Sequence, residues 1–337
     1  MIFFLFNVLP GDPAQMMLGQ NENSEQLNIV KKKYGFDKPL STQYFYYLND
    51  LSPISIHSLD KIDYSFFDRK NYSGIELFKL SEYSINIKYP YLRTSFVNQG
   101  KKVSDIIAET LPNTVILAIS AISIAIFLGI FLGIFSALYK NTYIDISIQF
   151  LSTIGMSIPS FFSAIIFAWV FGFLLKDYTG LEMSGSLYEL DDYGESFHLK
   201  LKNLLLPALV LGIRPLAVIS QLMRNELLNV LNQDYIRTAK AKGLSKFYVI
   251  KNHAIKNSLN PVVTAISGWF ASLLAGAVFV EFIFGWNGIG KEIVNALNLL
   301  DLPVIMGSVI VIAFMFILIN IFVDIIYVKL DPRVKLN

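Results

Sequence analysis

The chain has 337 residues, 54% of them hydrophobic and only 16% charged, with a mean hydropathy of +0.50. A soluble chain carries about a quarter charged residues, so this composition excludes an ordinary water-soluble globule and points to a bilayer as solvent. A net charge of +2, no cysteine and three scattered histidines (His57, His198, His253) leave no bulk attraction for nucleic acid, no disulfide or thiolate chemistry and no HExxH-type metal spacing.

Residues 1–9 (MIFFLFNVL) are apolar but cover less than half of a bilayer core roughly 30 Å thick, and Pro10-Gly11-Asp12-Pro13 stops them. They lack the basic leader and small-residue cleavage site of a signal peptide. They read as a partial first span whose beginning lies upstream of Met1. Residues 10–103 are rich in Tyr, Asn, Ser and Lys, too long for a simple connection. They predict a small extramembrane domain, helical over 27–51 and built of short strands and loops over 52–98.

Five apolar stretches follow at approximately 111–138, 146–175, 203–223, 259–283 and 302–328. Each is near the roughly 20 residues that cross a bilayer, and together they predict a transmembrane domain over 110–328. The fold class is therefore all-α and polytopic, with six spans, the first incomplete. Pro159 is expected to kink the 146–175 span and line a cavity. Arg214 is the only charge in the 203–223 span.

Charge sets the orientation. Segment 224–258 holds seven basic residues against Glu226 and Asp234, and the 329–337 tail adds Lys329, Arg333 and Lys335 against Asp331. Short loops rich in Lys and Arg stay in the cytoplasm. The 176–202 loop instead holds six acids. One arrangement satisfies all loops: both termini cytoplasmic, with 10–103, 176–202 and 285–301 outside.

Within the basic loop, 226–242 reads as helix, Gly243 permits a left-handed break, and Ser245 can cap a second helix reaching 253. Small Ala239 and Ala241 would let a partner approach; a loop that only fixes orientation or binds anionic lipid is the alternative. Gly285-Trp-Asn-Gly-Ile-Gly290-Lys291-Glu292 nearly spells a phosphate-binding loop, but Glu292 replaces the magnesium-holding hydroxyl. A tight turn followed by a short amphipathic helix over 291–300 is expected instead. Gly129 and Gly133, and Gly268, Ser272 and Gly276, form small faces, read as packing within the subunit. Arg214 could meet a solute carboxylate or pair with Asp324; Glu281 and Asp324 are expected in structural ion pairs.

The loop Asp234-Tyr-Ile-Arg-Thr-Ala-Lys-Ala-Lys-Gly243-Leu244 resembles the cytoplasmic signature loop of binding-protein-dependent ABC importers, in the form used by dipeptide, oligopeptide and nickel permeases. The generic loop begins Glu-Ala-Ala; Arg237-Thr238-Ala239 fills those positions here and Gly243 the glycine. Tyr34-Gly35-Phe36-Asp37-Lys38-Pro39, Leu111-Pro112-Asn113-Thr114, Ile158-Pro159-Ser160-Phe161, the stretch from Val280 to Gly290 and Asp331-Pro332-Arg333 are also similar and in the same order. About 45 residues around 52–98 have no counterpart.

The resemblance implies a type I importer permease that carries a solute, peptide first, and works with a second homologous permease, two ABC ATPases and an extracytoplasmic solute-binding protein. It also implies that the partner ATPases bind ATP, with no catalytic residue, metal or cofactor on this chain, in a bacterial cytoplasmic membrane. Asp234, Arg237, Thr238, Ala239, Lys240, Ala241, Gly243 and Leu244 would form the ATPase-coupling loop. Arg214, Pro159, Glu281, Gly285, Gly288, Gly290 and Asp324 are candidates for the path or gate. A stand-alone secondary transporter would show inverted repeats and more spans. An intramembrane hydrolase would need a histidine within a span, and there is none.

Overall fold

The computed structural model describes residues 3–4, 14–15, 24–61, 63–98, 100–191 and 193–330. The Pro10–Pro13 stop, the Asp331-Pro332-Arg333 element and most of the partial first span fall outside these residues. Two compact units divide the chain: residues 1–109 with 292–311, and residues 110–291 with 312–337.

The first unit contains the expected helical and stranded halves. Helices α1 (Ser24–Tyr34) and α2 (Leu40–Leu51) precede strands β1 (Ile54–Ser58), β2 (Gly74–Leu80) and β3 (Tyr83–Lys88). The strands form an antiparallel sheet in the order β1-β3-β2. Its pleat is inverted from the usual apolar-in pattern: Ser55, His57, Ser84, Asn86 and Lys88 are buried, while Ile54, Ile56, Ile75, Phe78 and Ile87 are exposed. The buried polar face is hydrogen-bonded internally. His57 Nδ1 donates to the Ser65 carbonyl at 2.9 Å and Nε2 lies 2.9 Å from Ser55 Oγ. Burial holds the His57 imidazole below its ordinary pKa. Asp50 accepts from Tyr72 Oη at 2.7 Å and Arg93 Nε at 2.9 Å. Asp301 ties the 95–97 turn down by accepting from the Phe96 and Val97 amides and Ser95 Oγ.

Helix α3 (Val103–Leu138) contains the 111–138 span and begins eight residues earlier. Helix α4 (Tyr143–Ser157) and helix α5 (Ser160–Trp169), which runs on as a π turn Val170–Leu174, occupy the 146–175 span. They do not form a kinked rod: the chain bends by 110° between them. Ile158 and Pro159 are both extended. Proline disfavours the helical conformation of the residue before it, so Ile158 leaves the helix and Pro159 opens the next one. The Pro159 kink is thus replaced by a full break.

After the short helix α6 (Lys176–Thr179) and a hairpin of β4 (Tyr188–Leu190) and β5 (Phe197–Leu199) comes helix α7 (Lys202–Leu231). It extends eight residues beyond the 203–223 span. Helices α8 (Asp234–Ala241) and α9 (Lys246–Val249) follow, then a π turn, α10 (Ile255–Gly276), α11 (Val278–Phe284), α12 (Ile289–Asn298) and α13 (Leu302–Leu330). Among the described residues, three helices are long and apolar enough to cross a membrane, or four counting the bent pair.

The second unit packs α3, α4 and α10 around α7. Close approach is made by glycine: a side-chain carbon at Gly129 or Gly133 would collide with α7 backbone oxygens at 2.9 and 2.6 Å, and one at Gly212 with the Ala121 carbonyl at 2.8 Å. The small face of α3 therefore packs within the subunit, as expected. Gly268 meets nothing within 4 Å and Ser272 is exposed, so the described part of the α10 stripe does not pack internally. Gly276 lies outside the described side chains.

One polar clamp joins three helices. Asp145 of α4 accepts from Arg224 of α7 through Nε and Nη2, both at 2.7 Å, and from Ser136 of α3. The side chains of Arg224 and Asp145 are 18% and 4% exposed. Arg224 was counted toward the cytoplasmic charge excess, but this bond neutralises it. Removing one partner of a buried pair costs about 3–5 kcal/mol. Asp145→Ala and Arg224→Ala should each lose stability on that scale in denaturant unfolding of the detergent-purified protein, and the double variant should lose less than the two together. Additive losses would mean that the two side chains do not interact.

Candidate functional site

The signature loop is a helix–turn–helix, with shifted boundaries. Helix α7 ends at Leu231, Gln233 is extended, and α8 restarts at Asp234. Gly243 takes φ +81° with open space around it, the left-handed break expected of it. Ser245 Oγ accepts from the Tyr248 amide at 3.3 Å, capping α9. The second helix does not stop at 253: it passes through the π turn Ile250–Ala254 directly into α10. The loop is thus mechanically continuous with a long apolar helix.

Which face of the loop is free was not legible in the sequence. Ile236 is fully buried and Ala239 is 8% exposed, both packed with Met223, Leu227, Val249 and Val262. The partner-approach reading of Ala239 is therefore corrected: its small side chain seats α8 on the subunit's own core. Ala241 is exposed, as are Asp234, Arg237, Thr238, Lys240 and Leu244. Asp234 and Arg237 pair on the open surface at 3.4 Å, worth little there. Sequence reasoning missed the aromatics beside them: Phe247 is 74% exposed and Tyr248 49%, with Lys251 Nζ 6.0 Å from the Phe247 ring. A basic rim around exposed aromatics has the composition of a protein-docking surface.

The second cluster surrounds Glu281, which is fully buried in α11. Its Oε2 accepts from the backbone amides of Gly290 and Lys291 at 2.7 and 3.2 Å. These are free amides of the first turn of α12, so Glu281 caps that helix from nine residues upstream. The expected ion pair is corrected: Lys291 Nζ instead holds the Gly285 carbonyl and Asn287 Oδ1. The same bonds dispose of the phosphate-loop likeness, because the amides that would cradle phosphate already hold an internal carboxylate. Trp286, also buried, donates through Nε1 to the Asn113 carbonyl at 3.0 Å, and Ile289 N donates to Thr114 Oγ1 at 2.9 Å. Gly285 takes φ +67°. These bonds make 285–291 a fixed clamp around a carboxylate.

Of the remaining candidates, Arg214 is exposed on α7 and has no ion pair among the described residues. The side chain of Asp324 lies outside the described residues, and Pro159 marks the α4–α5 break.

A methyl group at Gly288 would lie 2.3 Å from Glu281 Oε2 and one at Gly290 2.5 Å from Val278 Cα. Gly288→Ala and Gly290→Ala should each destabilise the protein by about 1–3 kcal/mol, the usual range for overpacking. Gly268→Ala should be neutral or stabilising, since alanine favours helix by roughly 1 kcal/mol over glycine. Thermal unfolding in detergent checks the contrast; equal effects at all three positions would refute the clamp.

The profile of the binding-protein-dependent transport system inner membrane component matches residues 129–336, and the N-terminal profile of such membrane components matches 1–71. A Brucella suis protein named as a peptide permease is 33% identical over 340 residues, covering 100% of this chain and 93% of its own. The dipeptide transport system permease protein DppB of Alkalihalophilus pseudofirmus is 32% identical over 350 residues, covering 99% and 93%. The inward-facing MetNI methionine ABC transporter shares the fold at TM-score 0.53 and 12% identity, covering 68% of this chain and 97% of that one. The helical architecture, the helix–turn–helix loop and this similarity along the chain lead to one assignment: the chain belongs to the binding-protein-dependent transport system inner membrane components and is the permease subunit of an ABC importer, with the type I transmembrane fold.

Proposed function

We propose that this permease moves peptides across the bacterial cytoplasmic membrane, in a complex with a second homologous permease, two cytoplasmic ABC ATPases and an extracytoplasmic solute-binding protein. The observation that carries the solute class is similarity over 99–100% of the chain to relatives named for peptide and dipeptide transport. ATP binds to the partner ATPases, and this chain needs no cofactor and catalyses no reaction. The exposed surface of α8 and α9, from Arg237 and Lys240 to Phe247 and Tyr248, is where an ATPase docks. Its continuity with α10 carries ATPase closure into the membrane domain. The exposed α10 stripe at Gly268 and Ser272 is a close-packing face for the second permease. Both termini and the 224–258 loop lie in the cytoplasm.

Phe247→Ala should reach the membrane at normal levels while co-purified ATPase and peptide uptake fall about tenfold, as for a protein-interface anchor worth 1–2 kcal/mol or more. Gly243→Val should act through the backbone, straining the left-handed turn by roughly 1–2 kcal/mol. Normal uptake by both variants with ATPase still bound would refute docking here. Orientation has a separate test, convenient because the chain has no cysteine. An impermeant thiol reagent on intact spheroplasts should label Glu195→Cys and not Lys242→Cys, both exposed positions. The reverse pattern would invert the topology.

A further inference from the structure

The side of α7 that its neighbours leave open carries, at mid-span, an arginine with no ion pair among the described residues. α3 lies against Gly212, Leu216, Ile219, Ser220 and Met223; α4 lies against Ile213 and Ala217 at Gly155; and α10 shares a buried core with Ile219, Met223 and Leu227. From Arg214 towards the C-terminal end, at 100° per residue, the remaining sector of roughly 80° holds Gln221, Arg214, Asn225, Val218 and Asn229 in angular order; on the N-terminal side of Arg214 the same sector is covered, with Asn203, Pro207 and Leu211 buried and α5 and α11 also packed on α7. Four of these five are polar. Arg214, Asn225 and Asn229 are exposed, and Gln221 and Val218 are half-buried. Arg214 lies roughly 15 Å from either end of the 203–223 span at 1.5 Å per residue, the most hydrophobic depth available. Its neighbour Arg224 satisfies its charge with a buried aspartate; Arg214 has no acid among the described residues and projects away from the subunit's core.

An uncompensated guanidinium facing hydrocarbon is strongly unfavourable, and intramembrane charges line aqueous cavities or substrate paths. Amides spaced along the same face supply what a polar solute needs on leaving water. We propose that this face of α7 is one wall of the solute path and that Arg214 is a solute-binding residue in it, receiving a carboxylate of the passing solute through its paired N–H donors. The inference rests on the peptide reading for the source of that carboxylate: every unmodified linear peptide presents one at its C-terminus. Arg214 holds it at the middle of the bilayer, and Gln221 and Asn225 receive the solute's amides about two and three turns further along.

The chain's lack of cysteine supplies the test. Arg214→Cys is placed in the assembled complex and reconstituted in vesicles, with the unsubstituted permease as control for reagent effects on partner subunits. Three thiol reagents of similar size are compared: an ethylammonium, an ethylsulfonate and an uncharged hydroxyethyl thiosulfonate. The variant should co-purify with its ATPase normally and react with the water-soluble reagents. Its uptake of a tripeptide should fall at least about tenfold, the effect of losing one charge-assisted hydrogen bond. The ethylammonium adduct should recover much of that uptake and the other two none. Arg214→Lys should retain more uptake than Arg214→Gln.

A thiol unreactive toward all three reagents would mean that this face is sealed by lipid or protein, which overturns the wall. A reactive thiol with uptake unchanged, or restored equally by the uncharged reagent, would overturn the carboxylate site. Failure of the peptide reading looks different: the unsubstituted complex would take up no peptide, while thiol reactivity would still decide whether Arg214 faces an aqueous path.

Discussion

A charge inside hydrocarbon has no solvent, so it must be solvated by protein, by water admitted into the protein, or by cargo. Much of the second unit is arranged around that requirement. Asp145 is met by a bidentate guanidinium and a serine hydroxyl, and in meeting it α3, α4 and α7 are drawn to one point. Glu281 is met by two backbone amides at the start of α12. In that geometry Oε2 fills two unmatched amides of the helix terminus, while Oε1 is buried with no hydrogen-bond partner among the described residues. Both clamps are internal to the subunit. Arg214 is the exposed charge of the 203–223 span and has no ion pair among the described residues.

The glycines follow from the same packing. In a bilayer, helices gain little from excluding lipid and associate through close van der Waals contact. Gly129, Gly133 and Gly212 let α3 and α7 approach until only hydrogen atoms fit between backbone and partner. Gly288 and Gly290 do the same around the Glu281 carboxylate. Gly268 has the same spacing in sequence, but a side chain there would meet nothing within 4 Å among the described residues.

The 234–249 helix–turn–helix combines a rigid seat with an open outer surface. Ile236 and Ala239 anchor α8 in the core, while Phe247, Tyr248 and the basic residues beside them are exposed. α9 is joined to α10 by a helical turn and not by a flexible linker. The only left-handed glycine break in this region, at Gly243, separates α8 from α9.

Local composition and spacing were sufficient for the membrane class, for the positions of the apolar stretches, for the helical and stranded halves of 24–98, and for the turn at Gly243 with its Ser245 cap. These depend on solvent and on neighbours a few residues away, information carried by any short window of sequence. The 110° break at Ile158–Pro159, the inward face of Ala239, the Asp145–Arg224 clamp and the engagement of the 290 and 291 amides by Glu281 were not legible. Each is decided by which helix lies beside which. Asp145 and Arg224 are 79 residues apart, and nothing local distinguishes an arginine that will find an aspartate from one that will not. Arg214 and Arg224 are ten residues apart on one helix, but α4 covers one and leaves the other open. Only the tertiary packing made Arg224 a structural tie and left Arg214 exposed.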